Sequence, residues 1–298
     1  MTNPSSSVPP MPSPEAWSIL AEMLRKDDRD RYLTALLAPP EAREGLLALY
    51  AFNLEIARVR ETVSEELIGR MRLQWWRDRM DGFYAGKPTE DGVKGHPLAE
   101  PLTWAIHRYG LDRAALDGLI DAREADLADV PLADLADLES YAKKTAAPVV
   151  MLALHILGQA DGSAAEAAED VAVAQVLTGV LRSVPFDLRR GWIRLPGDIC
   201  RDAGLDLGRL HDRGPAGQEA ELAAVVEQIA DRAHAALIRA RGCPAPRAAL
   251  PALLPARLAA RDLKRLARAG HDPFDGTVLR VDGLRPLILL SARLRGKF

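Results

Sequence analysis

Cysteines, aromatic residues and excess charge of either sign are all scarce in this chain of 298 residues. The two cysteines, Cys200 and Cys243, stand far apart. Their spacing argues against a disulfide framework or a Cys-x-x-Cys zinc site and favours a reducing cytoplasm. A formal net charge of −3 gives no electrostatic reason to expect binding to nucleic acid. Aromatic residues make up only 5% of the chain, and the composition suits helices better than strands.

Long hydrophobic runs are also missing from the sequence. No uninterrupted apolar run approaches the roughly 18 residues that a membrane-spanning helix needs. The longest run, residues 149–158, contains His155, and we expect it to be a buried helix with His155 in the core. Residues 1–13 are rich in Pro and Ser and have neither a basic nor an apolar signal-peptide region. They are expected to form a disordered tail, followed by a protein that is soluble or at most peripheral to a membrane.

Alanine, leucine, arginine and acidic residues recur at helical spacing along the rest of the chain. Ser13 and Asp112 are expected to cap helices. Pro148 is expected to kink or split a helix, and Pro185 to bend one. No strand pattern, repeat or linker is evident, so we predict a single helical domain over residues 14–298. The predicted helices span residues 14–25, 28–38, 41–59, 65–84, 97–109, 112–128, 133–157, 163–184, 198–210, 218–241, 248–269 and 286–298, with a loop at 88–95.

One stretch, residues 177–196, has the sequence LTGVLRSVPFDLRRGWIRLP, which is typical of the end of a buried helix followed by a basic loop. It strongly resembles a motif of the squalene/phytoene synthase family. Catalytic members carry an Asp-x-x-x-Asp pair in this helix and an Arg-Gly-x-x-Tyr-Leu-Pro loop after it. The positions that match the family are Thr178, Arg182, Arg190, Gly191, Leu195 and Pro196.

Further segments extend the resemblance over about residues 28–298, and they occur in the family's order. They are ALYAF at 48–52, LQWWRDRMDGFYAGKP at 73–88, HPL at 96–98, LIDAREADL at 119–127, and residues 141–150. The resemblance implies an all-α, squalene/phytoene synthase-like isoprenoid synthase fold in a single domain.

Catalytic members of this family join two prenyl diphosphates head to head, and their carboxylates hold Mg²⁺ against the leaving diphosphate. Where they would carry Asp-Asp-x-x-Asp, this chain has Ala57, Arg58 and Glu61. In the second motif Ser183 replaces the first aspartate and only Asp187 remains. The arginines around both motifs would repel a divalent cation. We therefore predict no bound metal, no cofactor and no catalytic residue, with Mg²⁺ required only if the chain is an active synthase.

These departures resemble the non-catalytic branch of the family, which includes assembly factors for respiratory complex I (NADH:ubiquinone dehydrogenase) and their bacterial relatives. The resemblance implies a pseudoenzyme that acts as an assembly or accessory factor for complex I. Its expected partners are complex I subunits or other assembly factors, and a prenyl lipid or an anionic membrane surface. Its expected location is the cytoplasm, peripheral on the cytoplasmic face of the inner membrane. Two alternatives stay open: an active squalene- or phytoene-type prenyltransferase, and a non-catalytic protein that binds a prenyl lipid or quinone.

Arginine and aromatic side chains supply most of the candidate ligand-binding residues. Guanidinium groups suit phosphate oxygens, so the arginines can bind a diphosphate or a lipid headgroup, or else form structural ion pairs. Because Trp75 and Trp76 are adjacent, only one of them is expected in the core. The basic, apolar residues 286–298 can contact an anionic membrane or pack on the helical body. The candidates are Tyr50, Phe52, Glu55, Arg58, Trp76, Arg182, Arg189 and Arg190.

Overall fold

The computed structural model of the chain describes residues 8–87, 96–128, 132–280 and 282–298. All regular secondary structure in these described residues is helical, and they contain no strand. Residues 8–13 of the predicted tail are not helical. The rest of that tail, residues 1–7, and the predicted loop at 88–95 lie outside the described residues.

The described residues form seventeen α-helices. In chain order they are α1 Pro14–Asp27, α2 Arg29–Leu36, α3 Pro40–Ala57, α4 Val59–Thr62, α5 Glu66–Tyr84, α6 Ala99–Tyr109, α7 Arg113–Ala122, α8 Leu135–Thr145, α9 Ala147–Ile156, α10 Ser163–Leu188, α11 Gly197–Asp202, α12 Leu207–Arg213, α13 Glu219–Gly242, α14 Leu250–Leu253, α15 Pro255–Arg268, α16 Gly276–Leu279 and α17 Arg285–Arg295. A 3₁₀ turn, Arg123–Asp126, follows α7.

Contacts between Cα atoms divide the chain into two compact units. Of the described residues, the first unit contains 8–128, 148–165 and 247–252, and the second contains 132–147, 166–246 and 253–298. The grouping of both units into one domain stays a prediction.

Helix α3 forms the centre of the first unit, where it packs against α1, α2 and α6. Twelve of its residues are buried, from Ala42 to Ile56. The close approach to α6 depends on Gly45, because a Cβ atom there would lie 2.3 Å from Cε2 of Tyr109. The Tyr109 hydroxyl donates to the carbonyl oxygen of Glu41, 2.5 Å away, which holds the ring over that glycine. The small residue therefore allows the first half of α3 to pack closely against Tyr109 at the end of α6.

Helix α10 lies mostly in the second unit, and it continues through Pro185 to Leu188. The predicted end at Val184 was therefore wrong. A proline inside a helix removes one backbone hydrogen bond, and the burial of Leu181, Val184 and Pro185 compensates for it. By length and composition α10 is able to cross a membrane, which qualifies the prediction that no segment approaches that length. However, 61% of its most apolar window is buried in the folded chain, as in a core helix.

Other sequence-based predictions have mixed outcomes. The Ser13 hydroxyl accepts from the amide of Ala16 at 3.3 Å, as predicted for a capping residue. Pro148 splits the predicted helix, because it lies in the first turn of α9, where its missing N–H is not needed. His155 is exposed, so its predicted core position was wrong. Its imidazole Nε2 lies 2.8 Å from the carbonyl oxygen of Tyr109, outside the apolar face of α9.

Candidate functional site

The first motif, which contains Ala57, Arg58 and Glu61, begins where α3 ends. Arg58 breaks the helix with φ −90° and ψ 0°, and α4 starts at the next residue. The Arg58 guanidinium donates to a carboxylate oxygen of Asp27 at 2.6 Å, and its Nε lies 3.9 Å from Glu61. Arg60 donates to the carbonyl oxygen of Asp126 at 2.5 Å. Both arginines of the motif therefore have partners within the first unit, as expected for structural arginines.

A cavity of about 330 Å³ adjoins this motif in the first unit. One wall is aromatic: the Trp76 ring meets the edge of Trp75 at 4.9 Å, Phe52 at 5.5 Å and His96 at 5.1 Å between ring centroids. The cavity has the size of a small ligand site. Its lining residues are Glu55, Arg58, Val59, Thr62, Arg72, Trp75, Trp76 and His96.

The polar lining of this cavity contains charges of both signs. Arg58 and Arg72 supply guanidinium groups, and Glu55 supplies a half-buried carboxylate. No hydrogen bond to that carboxylate is found among the residues that the structure describes. The His96 Nδ1 accepts from the amide of Leu98 at 3.3 Å, which leaves Nε2 for other contacts. Burial lowers the pKa of His96, and the nearby carboxylate of Glu55 opposes this shift. The cavity offers a neutral imidazole, two cations and one anion for binding.

Three of the ligand-binding candidates predicted from the sequence, Glu55, Arg58 and Trp76, lie in this lining. Arg72 and His96 were not predicted. Arg72 precedes both tryptophans by three and four residues on α5, and this spacing places it on their side of the helix. Of the adjacent tryptophans, Trp76 is buried at 4% exposure and Trp75 is half-buried, but both line the cavity.

The other two aromatic candidates belong to the core of the first unit. Phe52 is fully buried, and Tyr50 is 2% exposed. The Arg31 guanidinium lies 5.9 Å from the centroid of the Tyr50 ring. Burial raises the pKa of Tyr50 to about 12. Neither residue lines the cavity of the first unit.

The second motif lies near the carboxyl end of α10, in the second unit. Asp187 is 5% exposed and accepts from the Ser183 hydroxyl, one turn earlier, at 2.5 Å. The Arg194 guanidinium reaches both oxygens of the same carboxylate at 3.3 Å. The space beside Asp187 is about 10 Å³, roughly the room that one water needs. The remaining carboxylate of this motif is therefore already neutralised and enclosed.

The arginine candidates of the second unit also have partners. Arg182 lies 3.1 Å from Asp262, in an ion pair with its side chain 45% exposed. Arg189 stacks over Phe186 at 4.6 Å, and Arg190 over Trp192 at 5.4 Å from the ring centroid. The structure does not bring these three arginines together around one pocket among the described residues.

The residues present at the two motifs do not fit Mg²⁺. This ion takes near-octahedral oxygen coordination and usually needs carboxylates that are free to face it. Glu61 faces Arg58, and Asp187 is held by Ser183 and Arg194. Within the described part of the chain, no group of three His, Cys, Asp or Glu side chains is placed to hold a metal ion.

The helical fold and the two altered motifs define this chain as a member of the all-α isoprenoid synthase class. The family model for squalene/phytoene synthase matches residues 24–285. The chain therefore belongs to the squalene/phytoene synthase family, and the predicted family and fold class are confirmed.

Relatives of two kinds are similar to the chain. NADH dehydrogenase (ubiquinone) complex I, assembly factor 6, of Homo sapiens is 34% identical over 288 residues, covering 95% of this chain and 84% of the relative. Phytoene synthase of Thermus thermophilus is 33% identical over 193 residues, covering 64% of this chain and 63% of the enzyme. The family thus includes relatives named as assembly factors and relatives named as synthases.

Solved structures support the fold alone, because their sequences have diverged. A dehydrosqualene synthase in complex with a ligand has a TM-score of 0.77 and 18% identity, covering 95% of this chain and 96% of its own. The squalene synthase HpnC of Alicyclobacillus acidocaldarius has a TM-score of 0.73 and 20% identity, with 87% and 96% covered.

Proposed function

We propose that this protein is a non-catalytic member of its family that acts as an assembly or accessory factor for respiratory complex I. Its partners are then complex I subunits or other assembly factors. The similarity to assembly factor 6 over 95% of the chain supports this role. The observation that carries the proposal is the state of the two motifs, where Ala57, Arg58 and Ser183 occupy positions that carry aspartates in the catalytic pattern.

Electrostatics explains why these positions matter. Ionisation of a prenyl diphosphate leaves a highly charged diphosphate, and a positioned electrophile must stabilise that charge as it develops. In catalytic members of the family that electrophile is Mg²⁺ held by carboxylates, and of the motif carboxylates this chain keeps only Glu61 and Asp187. Asp187 is enclosed by Ser183 and Arg194, and Glu61 lies next to Arg58. Among the described residues, neither carboxylate belongs to a group of three acidic, histidine or cysteine side chains that could hold a divalent ion.

The first test is a direct turnover assay on the purified, folded protein. Farnesyl and geranylgeranyl diphosphate are supplied with Mg²⁺ or Mn²⁺, and diphosphate release and hydrocarbon products are measured. An active synthase of the family serves as the positive control. We expect no release above the protein-free rate. Metal-dependent turnover that falls in Glu61→Gln or Asp187→Asn would overturn the non-catalytic part of the proposal.

The second test addresses the assembly role in cells. A strain lacking this chain is expected to lose NADH:quinone activity in its membranes while carotenoids and hopanoids stay normal. Wild-type protein should restore the activity. Normal NADH:quinone activity together with missing isoprenoid products would contradict the assembly role and support a synthase.

A variant with restored aspartates separates the altered motif from the assembly role. We expect Ala57→Asp/Arg58→Asp/Ser183→Asp to complement when its folded level matches that of the wild type. The folded level must be compared because Ser183→Asp places a second carboxylate beside the buried Asp187, and repulsion between the two carboxylates destabilises the fold. Ser183→Ala and Arg58→Gln serve as matched controls without added acids. Loss of complementation by the folded triple variant alone would show that the basic motif itself is functional.

A second candidate function, non-catalytic binding of a prenyl lipid or quinone, is favoured by the cavity of the first unit. Its volume of about 330 Å³ and its tryptophan wall suit a ligand with an apolar part and a polar head. Organic extraction of the purified protein, followed by mass spectrometry, tests this. A co-purified isoprenoid that is lost in Trp75→Ala would support the candidate, and protein without any extractable lipid would argue against it.

The same proposal places the protein in the cytoplasm, peripheral on the cytoplasmic face of the inner membrane. The exposed leucines of α17 are the structural feature that supports membrane contact. Fractionation of cells expressing the protein tests this location, with recovery in washed membranes at low salt and release at high salt as the expected result.

A further inference from the structure

The last helix, α17, exposes a continuous row of leucines. Leu287, Leu290 and Leu294 are 63%, 45% and 69% exposed, and Leu284, just before the helix, is 53% exposed. At 3.6 residues per turn, the three helical leucines lie within about 60° of one another around the helix axis. Scattered exposed leucines are ordinary, but a row on one face of a helix is typical of an interaction surface. We call Leu284, Leu287, Leu290 and Leu294 the leucine row.

The orientation of α17 is fixed from its opposite side. Leu289 and Ala292 are buried there, and Arg285 is 5% exposed. The Arg285 guanidinium donates to both carboxylate oxygens of Asp262 on α15, at 2.8 and 2.6 Å. Rotation of the helix would separate these two buried charges, which is energetically costly. The leucine row therefore faces solvent because another face of the same helix is anchored.

The charged residues of α17 and of the chain after it have one sign. Residues 283–298 contain no aspartate or glutamate. At 100° per residue, Arg293 and Arg295 fall on opposite borders of the row, and Lys297 follows them. Arg295 and Lys297 are exposed. These cations stand at the carboxyl end of α17, where the helix dipole is negative and favours them.

We propose that α17 docks on an anionic lipid bilayer. The leucine row enters the interface between headgroups and acyl chains, and Arg295 and Lys297 contact lipid phosphates. A helix with an apolar face bordered by basic residues lies in the plane of such an interface. A planar anionic surface contacts the leucine row and the exposed cations Arg295 and Lys297 at the same time. This charge arrangement favours a bilayer over a protein partner as the occupant.

The experiment is sedimentation of the full-length protein with vesicles. One set contains phosphatidylglycerol mixed with phosphatidylcholine, and the other contains phosphatidylcholine alone. We expect binding to the anionic vesicles that weakens as salt rises from about 0.1 to 1 M, because screening shortens the reach of the surface potential. Binding to the neutral vesicles should be much weaker.

Two variants separate the apolar and the electrostatic contributions. Leu287→Gln/Leu290→Gln/Leu294→Gln should lower the partition coefficient on anionic vesicles about 100-fold, from roughly fivefold for each half-exposed leucine. Arg295→Gln/Lys297→Gln should lower it roughly 25-fold and leave the weak binding to neutral vesicles unchanged. Circular dichroism and a thermal scan check that both variants are folded.

The matched control uses the exposed apolar residues of α5. Leu67, Ile68 and Met71 are 66%, 41% and 64% exposed, and the acids Glu65 and Glu66 adjoin them in sequence. Leu67→Gln/Ile68→Gln/Met71→Gln removes a similar amount of exposed apolar surface from a segment in which the acids Glu65 and Glu66 balance the cations Arg70 and Arg72. We expect its partition coefficient to stay within about twofold of the wild type, since this segment carries no net charge that would attract an anionic lipid surface.

Several outcomes would overturn the proposal. One is wild-type protein that does not bind anionic vesicles at low salt, and another is binding that the leucine substitutions leave unchanged. If the wild-type protein does not bind vesicles, and the leucine substitutions abolish its binding to purified complex I subunits, the leucine row is a protein interface instead. The vesicle assay uses purified protein without any complex I component. Its result is therefore independent of the proposed assembly role.

Discussion

Replacing Asp262 with alanine is expected to destabilise the second unit strongly. Asp262 is 6% exposed and accepts two hydrogen bonds from Arg285, which is 5% exposed. Arg182 lies 3.1 Å from the same carboxylate, and Arg265 lies 3.9 Å away. Alanine at this position leaves a buried guanidinium without its counter-ion, with two further cations nearby.

The magnitude follows from the burial of the pair. Removing one partner of a buried ion pair costs about 3–5 kcal/mol, because the other charge stays desolvated. The Arg182 side chain is 45% exposed, so its truncation should cost less than about 1 kcal/mol. Asp170→Ala is a matched control: its partner Arg239 is 55% exposed at 2.7 Å, and we expect a cost of less than about 1 kcal/mol.

The assay is urea-induced unfolding followed by circular dichroism, with a thermal scan alongside. A loss of 3–5 kcal/mol lowers the melting temperature by roughly 6–20 °C in a protein of this size class. The double variant Asp262→Leu/Arg285→Met should regain most of the loss, since an apolar pair leaves no charge buried. The reasoning is refuted if Asp262→Ala costs less than about 1 kcal/mol, or if the double variant loses as much as both single variants together.

Three further predictions concern packing, thiol reactivity and pH. Gly45→Ala should lower the free energy of unfolding in urea by about 1–3 kcal/mol, because the added Cβ atom would meet an aromatic ring. Gly179→Ala, where the added Cβ atom faces open space in α10, should raise that free energy by about 0.5–1 kcal/mol. Equal effects of the two substitutions would contradict the close packing at Gly45. Burial raises the pKa of the Cys200 thiol to about 12, so iodoacetamide at about pH 8 should label only the half-buried Cys243 in the native protein and both thiols in urea. Mass spectrometry of peptides measures the labelling of each thiol. Labelling of Cys200 in the native protein would contradict the prediction. Burial lowers the pKa of His96 below its ordinary value of 6.5, so the unfolded chain binds the proton first as pH falls, and the stability that is complete above about pH 6.5 is lost on acidification. The His96→Gln variant should therefore lose less stability than the wild type between about pH 7.5 and 5. Equal losses of stability in urea unfolding would count against this assignment.

Local chemistry in the sequence was enough to predict most of the helices. The hydroxyl of Ser13 and the carboxylate of Asp112 cap helices as predicted, because capping involves only neighbours three residues away. The order of the motifs was enough to predict the family. The helix boundaries near prolines were predicted less well. Pro185 lies inside α10 because the burial of the residues around it, a property of the packed fold, compensates for its missing hydrogen bond.

The composition of the cavity in the first unit was only partly predictable. Glu55 and Arg58 were found because they lie beside a recognisable motif. His96 was not, because it comes from a segment 20 residues beyond Trp76 and reaches the tryptophan wall only through packing. The exposure of His155 has the same kind of cause: periodicity marks an apolar segment, but only the packed neighbours decide which side of a helix faces solvent.

The sequence by itself determined the helical class, the family and the loss of the acidic motif positions, because these depend on residue identity and local spacing. Only the tertiary structure decided which charges meet. Arg58 pairs with Asp27, 31 residues earlier, and Arg285 pairs with Asp262, 23 residues earlier. The second pair fixes the face of α17 that is buried, and so the face on which the leucine row is exposed. Partners so far apart in the chain are chosen by packing, since many arginines and acids of equal chemistry compete for each contact.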